Sequence, residues 1–271
     1  MAATCIFCGS NDMSKEHIWS DWLKSILPEL AAQTDSFHFG SVFNAKTGVT
    51  HRTERTVPTT ILETQVKRVC RTCNSGWMND IELAAAAKLE LMILGKPTTL
   101  SPDDQQNVAT WIALKVLMNE FTYPQIRALT QQDHHDFHSS RSPLPNTTIW
   151  ISPLLLPGDR WENRIRHTTG GLYDDEGADL VEIRPNTYAT TAGIKHLLIH
   201  AFWTGRPDLV STEWLSGEEF GAALEVDAGL LRIWPVRPFD VRWEPDRAFL
   251  ASEDVWELSD LIIESLHERS K

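Results

Sequence analysis

Two Cys-x-x-Cys pairs, Cys5/Cys8 and Cys70/Cys73, hold all four cysteines of this 271-residue chain. Each pair sets two thiols on one turn, and a zinc ion takes four such sulfurs in a tetrahedron. The result is a closed site with no ligand position left for a substrate. Sixty-one residues separate Cys8 from Cys70, and closing a loop of that length costs about 3–4 kcal/mol beyond a constant. Structural zinc contributes about 10–16 kcal/mol in small zinc peptides, so the metal outweighs the loop. Two disulfides would give no reason to repeat this tight spacing, and in a reducing compartment such pairs are more often metal ligands. An iron site of the rubredoxin kind is the main rival, because Cys-x-x-Cys-Gly suits iron too. The second pair, however, is followed by Asn74 and not by a turn glycine.

Composition narrows the class. Hydrophobic residues make up 42% and charged residues 23%, as in an ordinary globular protein. No run of about 18 apolar residues is present to span a bilayer, and Met-Ala-Ala-Thr-Cys does not read as a secretory leader. A cytoplasmic location is the expectation. The net charge of −12 argues against nucleic acid until it is resolved along the chain. Residues 1–100 carry ten Lys/Arg and ten Asp/Glu, whereas residues 101–271 carry fifteen and twenty-seven. A phosphate-contacting face therefore belongs in the first hundred residues, where Lys67, Arg68 and Arg71 flank the second cysteine pair.

The pattern predicts an α+β chain. Residues 1–97 read as a zinc-stapled module and 98–271 as an acidic α+β domain: helical over 101–140, strand-rich over 147–236, with a closing helix over 252–268. Ile18, Trp22, Leu23, Ile26 and Leu27 fall at helical spacing, and Pro28 ends the run. Residues 33–60 read as a loop or hairpin insertion, followed by a strand from Thr60 to Val69. A helix after Cys73, capped by Asn74 or Ser75, runs to about Gly95. Ser101-Pro102-Asp103-Asp104 opens the next, with Trp111, Leu114, Leu117, Met118 and Phe121 as its buried stripe. A short helix is expected over 124–138. Period-two stretches at 147–156, 161–168, 179–190, 194–203 and 230–236 predict an antiparallel sheet. Asp133-His134-His135-Asp136-Phe137-His138 looks like a metal cluster, but paired histidines are common on exposed helices. Trp19, Trp22 and Trp77 lie near enough in sequence to flank a site or stack on bases.

Glu16-His17 begins eight residues past Cys8, and Asn74 directly follows Cys73. If a metal pins the cysteine pairs together, these groups can face one another. A carboxylate and an amide oxygen suit Mg²⁺ or Mn²⁺, and an imidazole beside them suits deprotonation of a water. The set resembles the HNH, or ββα-metal, endonuclease family in its four-cysteine form. That pattern is Cys-x-x-Cys, an acidic residue and His, then Cys-x-x-Cys-Asn at the start of a helix. The match covers about residues 4–90. The resemblance implies that His17 is the general base, that Glu16 and Asn74 hold a catalytic divalent ion, and that the cysteines hold structural zinc. It also implies metal-assisted hydrolysis of DNA, RNA not being excluded. The family's middle amide has its nearest counterpart in Gln65, which could orient the loop carrying His17. The acidic domain would supply specificity, a homodimer interface or a protein-partner surface. A reading from another class is a catalytically silent zinc-binding adaptor for nucleic acid or protein.

Overall fold

Antiparallel pairing sets Met13 opposite Cys70, which brings the second cysteine pair beside the segment that follows the first. The computed structural model describes residues 3–32, 36–44, 49–123, 126–154, 165–172, 184–210, 230–244, 258–259 and 262–263. The first half runs β1 (Met13–His17), α1 (Leu23–Ile26), α2 (Pro28–Ala31), β2 (Ser36–Asn44), β3 (Val49–Val57), β4 (Gln65–Cys70), α3 (Arg71–Cys73) and α4 (Asn79–Ile93). Then come β5 (Thr98–Leu100), α5 (Pro102–Asn119) and α6 (Gln131–Ser140). The strand-rich part holds β6 (Thr147–Pro153), β7 (Ile165–Gly170), β8 (Thr187–Ile194), β9 (Leu197–Thr204), β10 (Leu231–Trp234) and β11 (Val241–Trp243). The chain is mixed α+β with a mostly antiparallel main sheet.

That sheet has seven strands in the order β10-β6-β9-β8-β7-β2-β3. Strands β6, β8 and β9 are buried at every position, so both faces are covered. Residues alternate between faces with period two. Tyr188, Ala192 and Ile194 of β8 join the core shared with α5, while Ala189 joins a second cluster with Trp150, Phe202, Ile262 and Ile263. Threonines inside the sheet find partners: Thr187 and Thr204 lie 2.9 Å apart, and Thr191 meets Ser259 at 2.7 Å. Of the closing helix expected over 252–268, Leu258, Ser259, Ile262 and Ile263 are helical and buried; the other positions fall outside the described residues.

The expected insertion at 33–60 forms a β2–β3 hairpin, and β2 pairs in parallel with β7. A segment between the cysteine pairs therefore extends the sheet of the C-terminal half. Strand β5 pairs with β11, and one apolar core holds Cys5, Leu89, Trp111 and Ile199 together. The β2–β7 pairing and the shared core cross the division expected at residue 97, whereas the β5–β11 pairing lies wholly beyond it.

α5 is the central element. Ser101 and Asp104 form a reciprocal capping box with Pro102 in the first turn, and from Val108 to Asn119 every residue is buried. A helix buried all round needs partners on opposite sides. Trp111 donates its indole N–H to Ser20 Oγ at 2.9 Å, towards the N-terminal module. A small cavity beside α5 is lined by Ile18 and Trp19 of the N-terminal module, Ile112 and Val116 of the helix, and Ile165 and Ile199 of the sheet. α6 begins at Gln131 because Thr130 and Asp133 make a second capping box, later than the start expected at 124. The helical run expected from Ile18 begins only at Leu23, and Pro28 opens a separate short helix, α2.

Candidate metal centre and the groups around it

Gly9 has a φ of +75°, and its amide donates to the Cys5 carbonyl at 2.9 Å. This is the tight knuckle that glycine permits, and it turns Cys8 back toward β4. The Cys70 thiol caps the helix that follows, accepting the Cys73 amide at 3.4 Å. The expected caps, Asn74 and Ser75, lie instead inside the helical run, in a π-turn over Asn74–Met78 that joins α3 to α4. Cys8 Sγ lies 3.5 Å from Cys70 Sγ and 3.7 Å from Cys73 Sγ. All four sulfurs fall within 4.8 Å of one another. A tetrahedron with Zn–S bonds of about 2.3 Å separates its sulfurs by about 3.8 Å, so the four thiols fit a zinc ion and could hold one. Burial raises the Cys70 thiol, but the Cys73 amide and the neighbouring sulfurs outweigh it and bring it down to about 7. Burial pushes Cys73 upward. Phe7 of the knuckle packs edge-on against Trp77 at 4.8 Å, and Arg141 covers the same indole at 3.8 Å.

β1 and β4 pair antiparallel, and β4 runs directly into α3 and α4. His17 faces Gln65 in register, and its Nε2 lies 2.6 Å from the Gln65 side-chain amide. Asp21 and Glu63 each bring a carboxylate oxygen within 3.8 Å of the same nitrogen. Lys24 bridges these two acids at 2.6 Å apiece. Its hydrogen bonds hold both carboxyls below the ordinary range. The imidazole is 23% exposed, so its ring reaches solvent. Such a group can accept a proton from water or substrate at the surface.

Glu16 is placed differently. Neighbours on an extended strand leave opposite faces, and with His17 half-exposed Glu16 is buried. Its Oε1 accepts from Lys115 Nζ at 3.0 Å. The same ammonium reaches Glu82 Oε1 of α4 at 2.5 Å and the His17 carbonyl at 3.3 Å. Burial raises the Glu16 carboxyl, opposed by Lys115. Burial would also discharge Lys115, but Glu16 and Glu82 overcome it and hold the amine above the usual lysine range. Asn74 donates its side-chain amide to Ser14 Oγ and to the Lys15 carbonyl, both at 2.9 Å, which ties the helix to β1. As arranged, Glu16 and Asn74 do not fit a divalent ion, because a lysine already takes the carboxylate. Among the described residues the four thiols are the one group of three or more Cys, His, Asp or Glu side chains placed to share an ion.

Of the residues expected to contact phosphate, Lys67 and Arg68 are exposed and form a two-residue bulge opposite Lys15, between the Ser14–Val69 and Glu16–Val66 pairs. Lys15 is exposed as well and adds a cation that charge clustering along the sequence does not reveal. Arg68 also lies over the Phe121 ring at 5.3 Å, and Arg71 lies 3.6 Å from Asp12. Trp19 is buried against Trp111, and Trp77 is sandwiched as described, so neither presents a free face to a base. In the histidine-rich segment Asp133 is used in the helix cap and His134 is buried beside Phe121. His138 packs on Phe7 and Trp77. Sequence reasoning missed Lys115, Glu82 as its partner, and the Asp21–Lys24–Glu63 bridge. Lys115 had a signal, since it is the lone charge in the apolar run Val108–Met118, where an unpaired cation is rarely tolerated. No family model, curated protein or solved structure matches the chain, and no helix among the described residues is long and apolar enough to cross a membrane.

Proposed function

We propose that this chain is a zinc-stapled, HNH-like hydrolase of nucleic-acid phosphodiesters, DNA in the first place, with His17 as general base. The observation that carries the reading is the placement of His17. A four-sulfur clamp joins β1 to β4 and the helix behind them, and leaves one imidazole at the solvent edge between Gln65, Asp21 and Glu63. An imidazole held by an amide on one side and acids on the other is oriented to take a proton from a water. Lys15, Lys67, Arg68 and Arg71 supply cations on the same strand pair and helix start for a phosphate backbone. Hydrolysis of this type draws on Mg²⁺ or Mn²⁺ for the leaving oxygen. Because Lys115 takes Glu16, no step is assigned to an ion there.

The test is plasmid nicking by the zinc-loaded full chain with Mg²⁺ or Mn²⁺. Cleavage should fall at least ~100-fold in His17→Ala, the usual scale for loss of a general base, while zinc content and melting temperature stay unchanged. Cleavage that survives His17→Ala would remove His17 from the role. The buried Lys115–Glu16–Glu82 triad favours a second reading, a silent zinc-stabilised adaptor. That reading stands if no divalent ion supports cleavage of DNA or RNA while binding to either persists.

A further inference from the structure

The disagreement between the expected divalent-ion pair and the observed lysine carries its own inference. We infer that Glu16 and Glu82 form a cation pocket whose resident ion is the ammonium of Lys115, and that this ammonium positions the strand end bearing His17. An ammonium has three protons to donate, and three acceptors meet Lys115: Glu16 Oε1, Glu82 Oε1 and the His17 carbonyl. The side chains of Lys115 and Glu16 are 4% and 7% exposed, and that of Glu82 is 18% exposed. The pocket is thus sealed except at the Glu82 edge. Two carboxylates against one ammonium leave one negative charge in excess. Removing the lysine leaves two; a small alkylammonium would restore the original balance, and one divalent ion would cancel both. The three acceptors come from β1 and α4, and the donor comes from α5 across the middle of the chain. Lys115 therefore acts on His17 through its backbone and not by touching a substrate. The inference does not require cleavage, so it can fail or hold independently of the nuclease reading.

The experiment uses the zinc-loaded full chain with Lys115→Ala and follows melting temperature against added ethylammonium, Mn²⁺ or Mg²⁺, with ethanol as the neutral control. Breaking a buried pair in a chain of this size should lower the melting temperature by roughly 10 °C. Ethylammonium or a divalent ion should restore part of that loss, ethanol should not, and the wild-type protein should respond less. Adding Glu16→Gln to Lys115→Ala should abolish the response. Rescue by ethanol, an equal response in the wild type, or a response that persists with Glu16→Gln would overturn the pocket. Should Lys115→Ala fail to fold, Lys115→Met is compared with the triple variant Lys115→Met, Glu16→Gln, Glu82→Gln. The triple variant should melt higher because no uncompensated carboxylate remains; equal or lower melting contradicts the inference.

Discussion

Two corners of this molecule solve the same problem with different cations. At one, four thiols from two remote segments converge within 4.8 Å and could hold a zinc ion. At the other, Glu16 and Glu82 converge on Lys115, a cation that belongs to the chain. A foreign ion makes a corner conditional on metal supply, because binding energy and folding energy are the same quantity there. A resident ammonium makes a corner conditional on the packing of α5. Glu16 and His17, adjacent in sequence, part at the lysine corner: the carboxylate is buried and the imidazole reaches solvent.

The largest difference between the corners should appear on chelation. Stripping zinc, or Cys70→Ser, should unfold the β1–β4 pair, with about 10–16 kcal/mol of metal binding lost. Circular dichroism and tryptophan fluorescence with and without a thiol-competing chelator check this. A chain indifferent to the chelator would erase the contrast. Next in size is Lys115→Met, which should cost about 3–5 kcal/mol by stranding buried carboxylates, read by urea unfolding with zinc held saturating.

His134 sharpens the comparison because it is a buried base with no cation-binding role. Burial lowers it from the ordinary histidine value of 6.5 to about 4. The unfolded chain takes a proton near pH 6.5 that the folded chain refuses until about pH 4. Stability from this residue is therefore complete above 6.5 and falls away with acid down to about 4, by about 3 kcal/mol. His134→Phe should flatten that part of the pH profile; an unchanged slope would contradict it. Smallest of all is Arg71→Ala. The Arg71–Asp12 pair is exposed on both sides, and removal should change stability by no more than about 0.5 kcal/mol.

The parts legible in the sequence were those encoded by local spacing. Cys5/Cys8 and Cys70/Cys73 announce a metal corner, Ser101-Pro102-Asp103-Asp104 announces the α5 cap, and the period-two stretches at 147–156 and 194–203 announce β6 and β9. The parts that were not legible depend on long-range partners. Nothing between Ser36 and Val57 tells that β2 will pair in parallel with β7, because edge pairing is decided by which strand is free across the fold. Glu16 offered a hard ligand in either orientation, and its inward turn is fixed by Lys115, ninety-nine positions away. Asn74 likewise reads as a helix cap until the Cys70 thiol is found to have taken that place.

X-ray absorption at the zinc edge of the purified chain probes the sulfur clamp most directly. Four sulfur neighbours at about 2.3 Å, with no nitrogen or oxygen in the first sphere, is the result expected of Cys5, Cys8, Cys70 and Cys73. An iron edge in place of zinc, or a light-atom ligand replacing any of the four sulfurs, would contradict a closed zinc corner and with it the frame that sets His17 at the surface.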